Sequence, residues 1–88
     1  MTFEITYQDS YDDCDSISAE EDEVFSIPPF DDVSRPCYGG QIIDDDGDVV
    51  EDDIMLYRRV RYVLRGDTLY AIGRRGREIP WDRFDPER

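Results

Sequence analysis

Eighteen of the first 53 residues are Asp or Glu and only Arg35 among them is basic, so any fold must keep nearly every carboxylate of that stretch in water. A buried, unpaired carboxylate costs more than a small core returns. The constraint falls on one part of the chain, because residues 54–88 carry five acids and nine Arg. The first part is therefore a net −17 and the second a net +4, within a total of −13. Self-repulsion at that level works against the compact state. The opposing force must come from apolar side chains, and six Tyr, four Phe and Trp81 supply large buried areas. Full disorder is excluded on that ground. Eighty-eight residues suit a single domain spanning 1–88, with an acidic front (1–53) and an Arg-rich back (54–88), and make two domains implausible.

The periodicity predicts a mainly β chain, with α+β as the alternative. Phe3, Ile5 and Tyr7 alternate with Glu4, Thr6 and Gln8, the period-two pattern of a half-buried strand over 2–8. From Gln8 to Glu23 the residues turn polar. Ser18 and Glu21 spell a capping box, and acids in a first turn suit a helix dipole, which predicts at most one short helix over about 19–26, ended by Pro28 and Pro29. Pro28 to Gly40 reads as an ordered loop anchored by Phe30 and Tyr38. Asp44-Asp45-Asp46-Gly47-Asp48 between Gln41–Ile43 and Val49–Val50 is a hairpin signal. Ile54 to Leu64 carries both helix punctuation and strand alternation. Strand is preferred, because Arg65-Gly66-Asp67 makes a compact turn into the strand-like Thr68–Ile72, and Gly73–Arg77 turns into Glu78–Trp81. The expected architecture is a small antiparallel sheet: a C-terminal meander plus an N-terminal strand, covered by loop aromatics.

Three charged constellations carry the chemistry. Alternate carboxylates in Asp44–Asp48 would suit a hard cation, but an EF-hand loop counted from Asp44 needs Gly at its sixth position and Glu at its twelfth, where this chain has Val49 and Met55. A solvated acidic turn is the better reading, and no metal or other cofactor is expected. The second constellation is the full set of acidic runs: Asp9, Asp12, Asp13 and Asp15; Glu20, Glu21, Asp22 and Glu23; Asp31 and Asp32; Asp44, Asp45, Asp46 and Asp48; Glu51, Asp52 and Asp53. An ordinary charge run is a solvated face. Five runs in 53 residues, interleaved with Tyr7, Tyr11, Phe25, Phe30 and Tyr38, set beside that reading a second one, a negative surface able to attract the Arg and Lys clefts that normally hold phosphate backbones, with the aromatics as anchors or as core. The third is Arg58, Arg59, Arg61, Arg65, Arg74, Arg75 and Arg77, for which internal pairing with the acidic front is favoured over phosphate contact. A chain this negative repels nucleic acid directly.

Catalysis finds little support: two carboxylates can in principle cleave glycosides, but a chain this short can scarcely build a substrate cleft around them. There is no His for a nucleophile–base relay, no Lys for a Schiff base and no evident activating partner for Cys14 or Cys37. The two cysteines are too few for a disulfide scaffold and read as reduced, partly buried thiols. The start, Met1-Thr2-Phe3-Glu4, lacks the basic and apolar regions of a secretory signal, and no apolar stretch approaches the roughly 20 residues of a membrane span, so a cytoplasmic protein with no membrane partner is expected.

With Asp12–Asp15, Glu20–Glu23, Asp44–Asp48 and Glu51–Asp53 set in a short single-domain chain, the protein resembles the small acidic inhibitors that phages encode against host defences, including anti-CRISPR proteins and DNA-mimic anti-restriction proteins. The resemblance implies stoichiometric inhibition of a nucleic-acid-binding complex, with carboxylates occupying phosphate positions and no cofactor. The Arg-rich back departs from a uniformly acidic mimic and admits direct protein–protein blocking as a variant. The contacts expected on this reading are Asp12, Asp13, Asp15, Glu20, Glu21, Asp22, Glu23, Asp44, Asp45, Asp46, Asp48, Glu51, Asp52 and Asp53. Two alternatives stand beside it: an acidic cytoplasmic protein of a halophile, whose acidity is solvation chemistry, and a small subunit of a larger assembly without inhibitory role.

Overall fold

The computed structural model describes residues 1–8, 14–28 and 37–85, with the side chains of Cys37 and Tyr38 outside that description. It is mainly β. The strands are β1 (Thr2–Gln8), β2 (Cys14–Glu20), β3 (Val24–Ser26), β4 (Cys37–Ile43), β5 (Val49–Tyr57), β6 (Arg61–Arg65), β7 (Thr68–Ile72) and β8 (Glu78–Pro80). Among the described residues, helical character is confined to two three-residue 3-10 turns, Arg74–Gly76 and Trp81–Arg83. The strands form two antiparallel four-stranded sheets, ordered β2-β1-β4-β5 and β3-β6-β7-β8.

One core joins the two sheets. Phe3, Ile5 and Tyr7 of β1, Ile42 of β4 and Ile54 and Leu56 of β5 meet Phe25, Ile27, Tyr62, Leu64, Leu69 and Ala71 from the second sheet and its flank, all buried. Strand alternation produces this: in β1 the odd positions are buried and Thr2, Glu4 and Gln8 face solvent. The expected C-terminal meander is β6-β7-β8. Its sheet partner on the inner edge is β3, while the N-terminal strand covers it from the facing sheet.

The short helix over 19–26 is not formed. Ser16-Ile17-Ser18-Ala19 alternates as a strand does, and β2 pairs along β1 from Thr2↔Glu20 to Gln8↔Cys14, which places Ala19 in the core and Ile17 against it. The acids that would have filled a first helical turn make a tight turn instead: the Glu23 N–H donates to the Glu20 carbonyl (3.1 Å) and Asp22 adopts a left-handed φ of 67°. Tertiary pairing has overridden a capping signal worth about 1 kcal/mol. The strand reading of Ile54–Leu64 holds in type, but the segment divides at Arg58-Arg59-Val60, where the chain crosses between sheets. The expected loop over 28–40 falls mostly outside the described residues, including Phe30, and its last four positions belong to β4.

The crossing is held by an internal hydrogen bond. Tyr62, 1% exposed, accepts from the Tyr57 backbone N–H through its hydroxyl at 2.7 Å, and the Val60 N–H donates to the Tyr57 carbonyl at 3.2 Å. Tyr62→Phe keeps the ring beside Phe25, 5.9 Å away, but leaves that N–H unsatisfied. The expected cost is about 1–3 kcal/mol in urea unfolding, with an unchanged dependence on urea concentration. Arg58, in the same crossing, is 1% exposed, the one buried charged residue among those described.

Candidate docking surface

Thr2 is the residue that gathers the acidic runs. Its backbone N–H donates to Asp45 Oδ1 at 3.1 Å, and its hydroxyl donates to Glu20 Oε1 at 2.9 Å. The Glu21 N–H closes the arrangement on the Met1 carbonyl at 2.9 Å. The start of β1 is thus clamped between the end of β2 and the tip of the β4–β5 hairpin, and Glu20 and Asp45, 25 positions apart in sequence, become neighbours at one end of the first sheet. The second sheet joins there: the Asp22 N–H donates to the Leu64 carbonyl at 2.8 Å, beside the Arg65-Gly66-Asp67 turn. Three turns therefore share one end, and Glu21, Glu23, Asp45, Asp46, Asp48 and Asp67 are all exposed on it.

The Asp44–Asp48 turn is closed by its own hydrogen bonds. Asp44 Oδ1 accepts from the N–H groups of Asp46 (3.0 Å) and Asp48 (2.9 Å), the Asp44 N–H donates to the Asp48 carbonyl, and Gly47 supplies the positive φ of 84°. Carboxylate oxygens of Asp44, Asp46 and Asp48 come within 4.8 Å of one another, a spacing a cation could bridge. The hydrogen bonds to Asp44 fix the backbone of that turn, and exposed carboxylates on one tight turn commonly approach this closely.

Glu51, Asp52 and Asp53 continue the negative surface along β5, the edge strand of its sheet. Register shifts at Gly40/Ile42 and Ile42/Ile43 break the β4–β5 ladder here, and Asp53 takes a φ of 53°. The bulge lets Asp52 accept from Gln41 Nε2 at 3.1 Å. Charged residues and a bulge on an edge also discourage strand addition by other chains. Asp15 lies at the opposite end of β2, opposite Tyr7, away from the cluster. Asp9, Asp12, Asp13, Asp31 and Asp32 lie outside the described residues. Cys14 is an exposed free thiol rather than a partly buried one, because it opens an edge strand.

Arg65 behaves as the internal-pairing expectation holds. Its Nη2 and Nε meet Glu78 Oε2 and Oε1 at 2.7 and 3.0 Å, and its Nη1 meets Asp22 Oδ1 at 2.9 Å. The two carboxylates hold its guanidinium still more firmly protonated than usual, and the hydrogen bonds from Arg65 pull the Glu78 carboxyl below its ordinary range. A carboxyl whose folded pKa is lowered adds stability above its unfolded pKa and loses it as pH falls through the folded one. The stability gap between the protein and Glu78→Gln is expected to be present near neutrality and to close as pH falls below the carboxylate range, read by urea melts at stepped pH. The wider expectation fails for Arg74, Arg75 and Arg77, which make no ion pair among the described residues; Arg83, outside that expectation, makes none either. Arg74, Arg75 and Arg77 sit on a turn at the end of β7, a strand's length from the acidic turns that would have to reach them.

No family model, curated protein or solved structure matches the chain. No helix among the described residues is long and apolar enough to cross a membrane. The fold and the surface together define a two-sheet antiparallel β protein with an acidic end built from three turns.

Proposed function

We propose that this chain is an acidic binding protein whose three-turn end docks on the basic, nucleic-acid-binding surface of a partner and keeps nucleic acid off it, as the DNA-mimic and anti-CRISPR inhibitors of phages do. It acts stoichiometrically in the cytoplasm, the host's if a phage encodes it, with neither catalysis nor cofactor, and it neither binds nucleic acid chains directly nor engages a membrane. The observation that carries the reading is the Thr2 clamp, which fixes the Glu20–Glu23 turn against the Asp44–Asp48 hairpin. Carboxylates dispersed over flexible chain would lose rotameric and backbone freedom on docking; carboxylates on hydrogen-bonded turns lose little. Fixed negative groups of this kind favour fast, salt-sensitive association with an Arg- and Lys-lined groove.

The test is capture of nucleic-acid-binding complexes from cell extract on the immobilised protein, eluted across a salt gradient with and without competing DNA. The expected result is one complex, released by DNA and by salt. Capture indifferent to DNA would replace mimicry with a surface block or a subunit role, and no capture would leave the acidity as solvation chemistry.

A further inference from the structure

The turn after β7 and the C-terminal 3-10 turn border a cleft of about 660 Å³ lined by Gly73, Arg74, Arg75, Arg77, Arg83 and Phe84, together with Ile79 and Asp85. That volume lies within the range of small-molecule sites, roughly 300–1,000 Å³. Four arginines from two separate turns line it against one acid, Asp85, in a chain where acids outnumber arginines 23 to 10. Among the described residues none of the four makes an ion pair, although Arg65, on the neighbouring strand, takes two carboxylates. Positive charge is in excess among the lining residues, and the ligand class that matches it is an anion.

The turn that presents them is fixed by backbone bonds. The Gly73 N–H donates to the Arg77 carbonyl at 2.7 Å and the Arg77 N–H to the Arg74 carbonyl at 3.2 Å, with Arg75 held at a left-handed φ of 61°. An arginine there is strained where glycine or asparagine would not be, and strain of this kind collects at ligand sites. The floor is apolar: Phe84 packs on Tyr57 at a centroid distance of 6.5 Å, and the Ile79 methyl lies 3.3 Å from where a Cβ on Gly73 would stand. Forked guanidiniums bind phosphate oxygens two at a time, and a half-buried aromatic floor accepts a planar organic group.

We infer that this cleft binds a nucleoside polyphosphate, its phosphate chain among Arg74, Arg75, Arg77 and Arg83 and its base over Phe84 and Ile79. The acidic turns do not forbid this. Asp22 of the acidic end and Glu78, which follows Arg77, are both held by Arg65, so neither carboxylate is left to compete for the cleft's arginines. The site is independent of the docking proposal, since it uses neither the surface nor the residues of that end.

Calorimetric titration of the full chain with ATP, pyrophosphate and adenosine at low and physiological salt tests it. Saturable one-to-one binding of ATP is expected, tighter than that of pyrophosphate and weakened by salt, with no binding of adenosine alone. Arg74→Gln with Arg77→Gln, and separately Arg83→Gln, should weaken ATP binding about tenfold or more, as loss of charge-assisted bonds to phosphate does, while Arg59→Gln, an exposed arginine outside the cleft, leaves it unchanged. All these positions are exposed, and unaltered thermal melts confirm that the variants fold. Absence of saturable ATP binding at low salt, equal weakening by Arg59→Gln, or tighter binding of a short single-stranded DNA than of ATP would each overturn the inference.

Discussion

Gly40→Ala is expected to abolish the fold or lower its melting temperature by more than about 20 °C. The obstacle is backbone. A Cβ on Gly40 would stand 2.2 Å from the Thr6 carbonyl oxygen and 3.3 Å from the Thr6 carbonyl carbon and Tyr7 Cα. No rotamer change relieves such a contact; β1 and β4 must separate. These are the two central strands of the first sheet, paired from Glu4↔Ile43 to Tyr7↔Gly40, and β1 carries Phe3, Ile5 and Tyr7 into the shared core. Opening that pair costs several kcal/mol, comparable with the whole stability of a small domain, and in a domain of this size each kcal/mol moves the melting point by about 4–8 °C. Gly39→Ala is the matched control, because its Cβ would meet only the Ile54 carbonyl oxygen at 3.9 Å, an ordinary contact. A Gly40→Ala protein that melts within a few degrees of Gly39→Ala would refute this account of the sheet.

Legibility of the fold in the sequence tracks how many apolar positions each element contributes. Phe3, Ile5 and Tyr7 make β1 plain, Asp-Gly marks the β4–β5 hairpin, and Arg65-Gly66-Asp67 marks the β6–β7 turn. In contrast, β2 offers only Ile17 and Ala19 among serines and acids, a signal weaker than the capping box formed by Ser18 and Glu21. The capping box lost because β1 needs a partner along its outer edge. The break at Arg58–Val60 carries no Gly, Pro or Asn to mark it, and the alternation of Val60, Tyr62 and Leu64 with Arg59 and Arg61 runs across it; the burial of Arg58 follows from the crossing between sheets, which no local pattern encodes. The candidate surface was legible as composition but not as geometry. That Glu20 and Asp45 meet depends on Thr2, a residue with no signal of its own, placed by the registers of β1 with β2 and with β4. The unpaired arginines were misjudged for a related reason: opposite charges abundant in sequence still need strands that bring them to the same end.

Neutralising the acidic end while sparing its structural carboxylates is expected to slow association with a captured partner about 10- to 100-fold at low salt and to flatten the salt dependence. The variant combines Glu21→Gln, Glu23→Gln, Asp46→Asn and Asp48→Asn, none of which uses its side chain to hold the turns. Asp44 is kept because two backbone N–H groups donate to it, Asp45 and Glu20 because they clamp Thr2, and Asp22 because it pairs with Arg65. Removing four like charges from a chain of net −13 relieves repulsion, so the melting temperature should hold or rise, which separates loss of steering from loss of fold. Asp15→Asn with Asp82→Asn removes charge elsewhere on the surface. If rate followed net charge alone, that pair would slow association per charge as much as the acidic-end variant does. A local effect requires the acidic end to dominate when the comparison is repeated at physiological salt, where charges more than about 8 Å from the contact are largely screened. Unchanged association kinetics in the four-site variant would remove the acidic end from the mechanism and leave its charge as a means of staying in solution.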